Sequence, residues 1–210
     1  MKITGQNTIA APVDKVWEAI LDPRVLVATI PGCEQLEATG ENAYAMTVSA
    51  GVAAIRGTYS GSCTLEDLRQ GEGLTMRLKG AGAPGTIDAT VLVGFSGAGE
   101  QTELTYDADA VVGGMIGGVG QRMLTSVSRR MAAEFFGNVE KVIANGLPAA
   151  VTTVEPGAPG EAPVFTTAAP KATAGGVGGG DGPSFLAGVA VGGALALAGV
   201  IVGGLLGRRR

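Results

Sequence analysis

An α+β domain is expected here: a curved antiparallel sheet wrapped around one long C-terminal helix, followed by a Pro/Gly-rich linker and an apolar tail. Three observations predict it. Between residues 44 and 112, five or six runs alternate apolar or small residues with polar ones at period two. From about Met115 to Asn145, Met115, Val119, Met123, Val127, Met131, Phe135, Val139 and Val142 recur at three- and four-residue steps. The 23 residues from Phe185 to Gly207 carry no charge, and Arg208-Arg209-Arg210 follows them.

The elements can be justified in order. Ile3, Gly5, Asn7 and Ile9 alternate with polar residues and predict a first strand. Pro12 suits the first turn of a helix, and Val13, Val16, Trp17 and Ile20 then give it one apolar face. Asp22-Pro23 signals the start of a second short helix, which Pro31-Gly32 ends. A further strand fits Glu34 to Ala38. The inward phases of the strands that follow are Tyr44, Met46, Val48; Gly57, Tyr59, Gly61, Cys63, Leu65; Leu74, Met76, Leu78, Gly80; Ile87, Ala89, Val91, Val93, Phe95; and Leu104, Tyr106, Ala108, Ala110, Val112. Their opposite phases hold Arg56, Ser60, Arg77, Lys79, Asp107 and Asp109, so one face is wet and one covered. The long helix, stopped by Asn145-Gly146, is the cover. This order describes a helix-grip architecture over residues 1–147.

Residues 148–183 hold six of the ten prolines and read as a linker without a core of its own. As a flexible coil its 36 residues would span roughly 30–36 Å. Its one apolar island, Val164-Phe165, is either a coil pair or a docking peptide for a partner. Residues 184–210 read as a membrane anchor, with Phe185, Leu186, Leu195, Leu197, Leu205 and Leu206 facing lipid and Arg208, Arg209 and Arg210 beyond it. A helix of 23 residues reaches ~34 Å against a bilayer core of about 30 Å. Three arginines placed outside would run against the positive-inside tendency, and glycines at four-residue spacing suit close helix association, so spanning and interfacial placements both stay open.

Composition excludes several function classes. With 15 basic and 19 acidic residues and no basic stripe carrying aromatics, nucleic acid is not expected as a partner. The chain has no histidine, which removes the commonest metal ligand and general base. Cys33 and Cys63 have no metal or redox spacing and read as small buried hydrophobes. No metal site and no catalytic residue is expected. Gly80-Ala-Gly-Ala-Pro-Gly85 matches a dinucleotide fingerprint in spacing but leads into a strand, so it reads as a turn. Glu66-Asp67 and Asp107/Asp109 fall on wet faces with no nucleophile beside them. The N-terminus lacks an apolar h-region, so the folded part is expected on the cytoplasmic side of the membrane.

The covered face is rich in glycine, alanine, methionine and tyrosine, which leaves either a close-packed helix or a cavity. The cavity reading makes Tyr44, Met46, Val48, Tyr59, Met76, Leu78, Ile87, Phe95, Tyr106, Met115, Ile116, Val119, Met123 and Val127 its lining, with tyrosine hydroxyls as polar handles. Gly113, Gly114, Gly117, Gly118 and Gly120 each weaken a helix by roughly 1 kcal/mol relative to alanine, so the helix start is expected to unwind easily and gate the cavity.

Ala11-Pro-Val-Asp-Lys-Val-Trp-Glu-Ala19, Ile30-Pro-Gly-Cys-Glu34, Gly57-Thr-Tyr-Ser-Gly61, Gln121-Arg-Met123 and Ala133-Glu-Phe-Phe136 together resemble the carbon monoxide dehydrogenase CoxG-like family. That family lies in the START-like, polyketide-cyclase-like (SRPBCC) superfamily, and the resemblance covers about residues 1–146. It implies an accessory to a molybdenum carbon monoxide dehydrogenase that helps bring the enzyme to the cytoplasmic membrane, not a catalytic component. Joined to a tethered apolar cavity, it leads us to expect an isoprenoid quinone as bound ligand. Menaquinone is the expected species, on the Gly/Ala-rich composition of a high-GC bacterium. The alternative is a pure recruitment factor, and a cyclase- or hydrolase-like enzyme is disfavoured by the absent histidine.

Overall fold

Hairpins between successive strands build most of the sheet. A computed structural model describes residues 1–154 and 162–167 of the chain. It contains β1 (Lys2–Ile9), α1 (Val13–Leu21), α2 (Pro23–Thr29), β2 (Cys33–Gly40), β3 (Ala43–Val52), β4 (Ile55–Arg69), β5 (Gly73–Gly82), β6 (Gly85–Ala98), β7 (Gln101–Gly114), a 3-10 turn (Met115–Val119), α3 (Gln121–Asn145), β8 (Val151–Val154) and β9 (Val164–Thr167). The described strands form one antiparallel sheet ordered β1-β7-β6-β5-β4-β3-β2-β9-β8. The expected helix grip is there, with strands in the expected phases.

Local chemistry explains the two short helices. Val16, Trp17, Ala19 and Ile20 give α1 its buried face. The Arg24 backbone N–H donates to the Asp22 carboxylate at 2.8 Å, and Pro23 occupies the first turn of α2, so the cap and start fall where the sequence places them. At the far end of α2 the Thr29 hydroxyl donates to the Val25 carbonyl, while the Asn138 amide of α3 donates to the Thr29 carbonyl. The Thr102 hydroxyl donates to the Ala11 carbonyl at 2.7 Å, fixing the loop before α1 on β7.

The main core lies where α1, α2 and the C-terminal half of α3 meet the sheet. Ile9, Val16, Val27, Leu36, Leu104 and Val139 are fully buried there. Trp17 meets Phe95 edge-on at a centroid distance of 5.5 Å. A smaller cluster of Ile3, Val91 and Ala108 lies farther along β1, β6 and β7.

Two expectations are corrected. The long helix begins at Gln121, not near Met115. β7 stays paired with β6 as far as Gly114 opposite Gly85, and Gly114 and Gly120 then adopt φ of 75° and 91°. Both values lie in the left-handed region that glycine enters without penalty, so the chain breaks on either side of the 3-10 turn. The glycines expected to start a weak helix therefore end a strand and form a tight turn instead.

The linker does not begin at Pro148. Val164–Thr167 pairs with β2 and is paired in turn by Val151–Val154. Phe165 is buried in the main core opposite Leu36, the Thr167 hydroxyl donates to the Cys33 carbonyl, and the Ala38 N–H donates to the Pro163 carbonyl. The apolar island docks on its own domain because β2 offers an unpaired edge beside a hydrophobic gap. Residues 155–161 and 168–183 of the expected linker, and the expected anchor, 184–210, lie outside the described residues. Among the described residues no helix is long and apolar enough to cross a membrane.

Candidate functional site

The inward face of the sheet changes character along its strands. Toward α1 and α2 it is filled: Tyr44, Cys63, Leu65, Leu74, Phe95 and Leu104 are all buried. Midway, Met46, Val48, Met76, Leu78, Val93 and Tyr106 are only partly buried against the core. Farther on, Val52, Ile55, Tyr59, Ile87 and Val112 remain partly exposed although they keep the inward phase. The α3 backbone approaches β1, α1, α2 and β3 closely and makes no comparable approach to β4, β5, β6 or β7. A Cβ placed on Gly80, in the inward phase of central strand β5, would meet no atom within 4 Å. This half-covered inward face, filled at the α1/α2 end and less covered toward the end bearing the 3-10 turn, is the candidate apolar groove.

The three tyrosines differ in what their hydroxyls do. Tyr44 is buried and donates to the Leu21 carbonyl at 3.4 Å. Burial raises its pKa, with the nearby Cys63 and Asp22 adding to the rise. It is a strut of the core. Tyr59 and Tyr106 are partly exposed, and no such bond holds either hydroxyl among the described residues. Burial also raises the Tyr59 pKa. The Tyr106 ring lies over Gly5, its cross-strand partner, where a Cβ would come within 2.2 Å of the phenol oxygen. Its other neighbour is the ring of Phe136, 6.4 Å away.

Of the fourteen expected lining residues, the structure gathers Met46, Val48, Tyr59, Met76, Leu78, Ile87 and Tyr106 on the sheet side, with Val119 and Val127 half-buried on the helix side. Four others do other work. Tyr44 and Phe95 belong to the filled core, while Met115 and Met123 are 62% and 44% exposed. The late start of α3 explains the methionines, since the phase read from Met115 onward does not run through a continuous helix. Ile116 is buried under the turn, its N–H donating to the Pro84 carbonyl. Of the expected gate, Gly113 and Gly114 lie in β7, Gly117 and Gly118 in the 3-10 turn and Gly120 at the head of α3. Sequence reading missed Leu124 and Phe136 on the buried side of α3, and Val52 and Ile55 at the open end. The i, i+3 recurrence of Leu124 and Val127 was available as a signal.

The two concavities described are open depressions, not enclosed cavities. A depression of about 410 Å3 opens on the wet face around Ser60, Ser62, Lys79, Thr86 and Asp88, and one of about 150 Å3 around Gln35, Glu37 and Thr47. Outward-phase side chains rim most of both, while Gly61, Gly80 and Ile87 also border the larger and Met46 and Gly61 the smaller. Among the described residues no cluster of three or more His, Cys, Asp or Glu stands ready to hold a metal ion.

Residues 5–144 match the carbon monoxide dehydrogenase CoxG family. The chain belongs to the CoxG family. Among solved structures, this CoxG-family chain is similar to a conserved protein from Geobacillus kaustophilus, at 32% identity and a TM-score of 0.66, covering 69% of this chain and 95% of that one. It shares its fold with the Zhui aromatase/cyclase from Streptomyces sp. R1128, at 20% identity and a TM-score of 0.54, covering 71% and 97%. A START superfamily protein from Mycobacterium smegmatis has the same fold at 11% identity and a TM-score of 0.52, covering 68% and 97%. No curated protein matches the chain. CoxG membership points to an accessory role beside carbon monoxide dehydrogenase.

Proposed function

We propose that this CoxG-family chain is a membrane-tethered, non-enzymatic accessory of a molybdenum carbon monoxide dehydrogenase. It binds a lipid quinone, with menaquinone the expected species, and links the enzyme to the quinone pool at the cytoplasmic face of the membrane. One observation carries the reading: an apolar inward face left half-open, with the hydroxyls of Tyr59 and Tyr106 beside it without a hydrogen-bond partner among the described residues. The isoprenoid tail would lie along Met46, Val48, Met76 and Leu78, each 100 Å2 of apolar surface removed from water contributing about 2.5 kcal/mol. A tyrosine O–H would donate to a quinone carbonyl, which answers the need of a desolvated hydroxyl for a partner. Residues 185–207 would keep the groove beside the phase in which quinones dissolve.

The test is extraction of the purified full-length chain with organic solvent, followed by mass spectrometry and by titration of the quinone-free protein. Co-extracted quinone, or saturable binding, supports the reading. A chain that yields none and binds none on titration, yet still brings the dehydrogenase to membranes, is a recruitment factor only.

A further inference from the structure

The two ends of the grip differ in chemistry. At the end by α1 and α2 the hairpin turns are Gly40-Glu41-Asn42, Arg69-Gln70-Gly71-Glu72 and Gly99-Glu100. At the groove's open end they are Val52-Ala53-Ala54-Ile55 and Gly82-Ala83-Pro84-Gly85, joined there by the 3-10 turn Met115–Val119. None of these residues at the open end is charged. Ala53, Ala54 and Ala83 are exposed, and so is Met115, at 62% the most water-accessible methionine of the described inward set. The turns form one rim: Gly85 pairs with Gly114, Ile116 bonds to the Pro84 carbonyl, and a Cβ on Gly57 would strike the Pro84 ring. The first cations outward from it are Arg56 and Arg122, both exposed and free of ion pairs among the described residues.

The path of the chain adds direction. β9 runs antiparallel to β2, from Val164 opposite Glu37 to Thr166 opposite Gln35, so it heads toward the open end. The exit at Thr167 lies level with Cys33, whose partner Val48 is four residues, or ~13 Å, short of the tip of the rim hairpin. The 17 residues from 168 to 184 span at most ~60 Å before the uncharged stretch begins.

We propose that the rim of Val52–Ile55, Ala83 and Met115–Val119, with Pro84 and Ile116 buried beneath it, is the face on which the domain rests on an anionic bilayer. Arg56 and Arg122 would stand at headgroup level and the groove would open directly onto the acyl region. A charge-free tip flanked by guanidiniums fits that interface, where apolar side chains enter the acyl boundary and cations meet anionic headgroups. The inference deepens the proposed function and rests on its tether, but not on the identity of any ligand.

The test uses the full-length chain with an environment-sensitive fluorophore on A54C or A83C at the rim, and on Q70C or E100C at the opposite end. Vesicles of phosphatidylcholine with phosphatidylglycerol are added, with no quinone present. The proposal expects a blue shift and brighter emission from both rim labels, protection from an aqueous quencher, and no change at residues 70 and 100. Equal response at both ends, response at the charged end alone, or a silent rim on membrane-bound protein overturns it. So does a rim that responds to the dehydrogenase but not to vesicles. Because quinone binding is read separately by titration, a responsive rim with no quinone bound would leave this face standing while the carrier reading fell.

Discussion

Cys33 and Cys63 show what burial does to a single ionisable group in this fold. Burial pushes the Cys33 thiol up to about 11, with Glu34 adding to the rise, and the Cys63 thiol up to about 12, from a usual value near 9. At pH 8 about one Cys33 in a thousand is thiolate, so neither residue should react with a thiol reagent until the chain unfolds. The same shifts set an alkaline limit. Between pH 9 and pH 11 the folded chain keeps protons that the unfolded chain has released, so stability falls as pH rises, by up to about 1.4 kcal/mol per unit per thiol. The melting temperature should therefore be flat from pH 7 to pH 8.5 and decline above pH 9. C33A/C63A should flatten that decline even if its absolute melting temperature is lower; an unchanged slope would show that the thiols are not responsible. At this scale, alternation in the sequence identifies which side chains face inward and no more. Tyr44 and Tyr106 share a phase, yet one spends its hydroxyl on the Leu21 carbonyl and the other lies over Gly5 with its hydroxyl unspent among the described residues. Such distances depend on strand pairing that spacing alone does not encode.

At the scale of elements, the long strands were legible because each offers four or more inward positions in register, and α2 because Asp22-Pro23 is a strong local signal. The tail hairpin was not, because the composition of 148–183 hides two four-residue runs, Val151-Thr-Thr-Val154 and Val164-Phe-Thr-Thr167, that are rich in β-branched residues. Neither run would stand alone; the edge of β2 and the apolar gap over Leu36 supply the partner. Phe165 then fills the gap, and its loss should cost about 3 kcal/mol, as for other buried phenylalanines. Chains ending at 167 and at 147 separate the two views of this segment. The longer should melt cooperatively, and the shorter should melt roughly 6–12 °C lower. F165A in the longer chain should account for most of that loss. Equal melting of the two would mean that the hairpin adds nothing to the fold. The glycine-led entry to α3 was misread for a related reason: its helical spacing is genuine, but Gly114 and Gly120 give the backbone a less costly conformation than a continued helix.

Over the whole molecule, recruitment and ligand transfer are separable by mutation, because the expected anchor and the groove are built from different stretches of sequence, 184–210 and 46–127. Gly80 gives access to the second without touching the first. Its neighbour across the ladder, Gly61, cannot carry a side chain, since a Cβ there would strike the Lys79 carbonyl at 2.1 Å. Gly80 faces open space instead, and a non-glycine residue in a strand interior is favoured by roughly 0.5–1 kcal/mol. Gly80→Leu should therefore fold with an unchanged or slightly higher melting temperature while placing a branched side chain in the groove. It should weaken quinone binding at least about tenfold, a loss of ~1.4 kcal/mol. Co-sedimentation of the dehydrogenase with membranes should stay at the full-length level, because nothing in the tail or on the wet face has changed, while electron delivery to membrane quinone falls. A natively folded Gly80→Leu chain that binds quinone as tightly as the parent would place the ligand elsewhere. Loss of membrane recruitment together with quinone binding would mean that groove and docking surface are one.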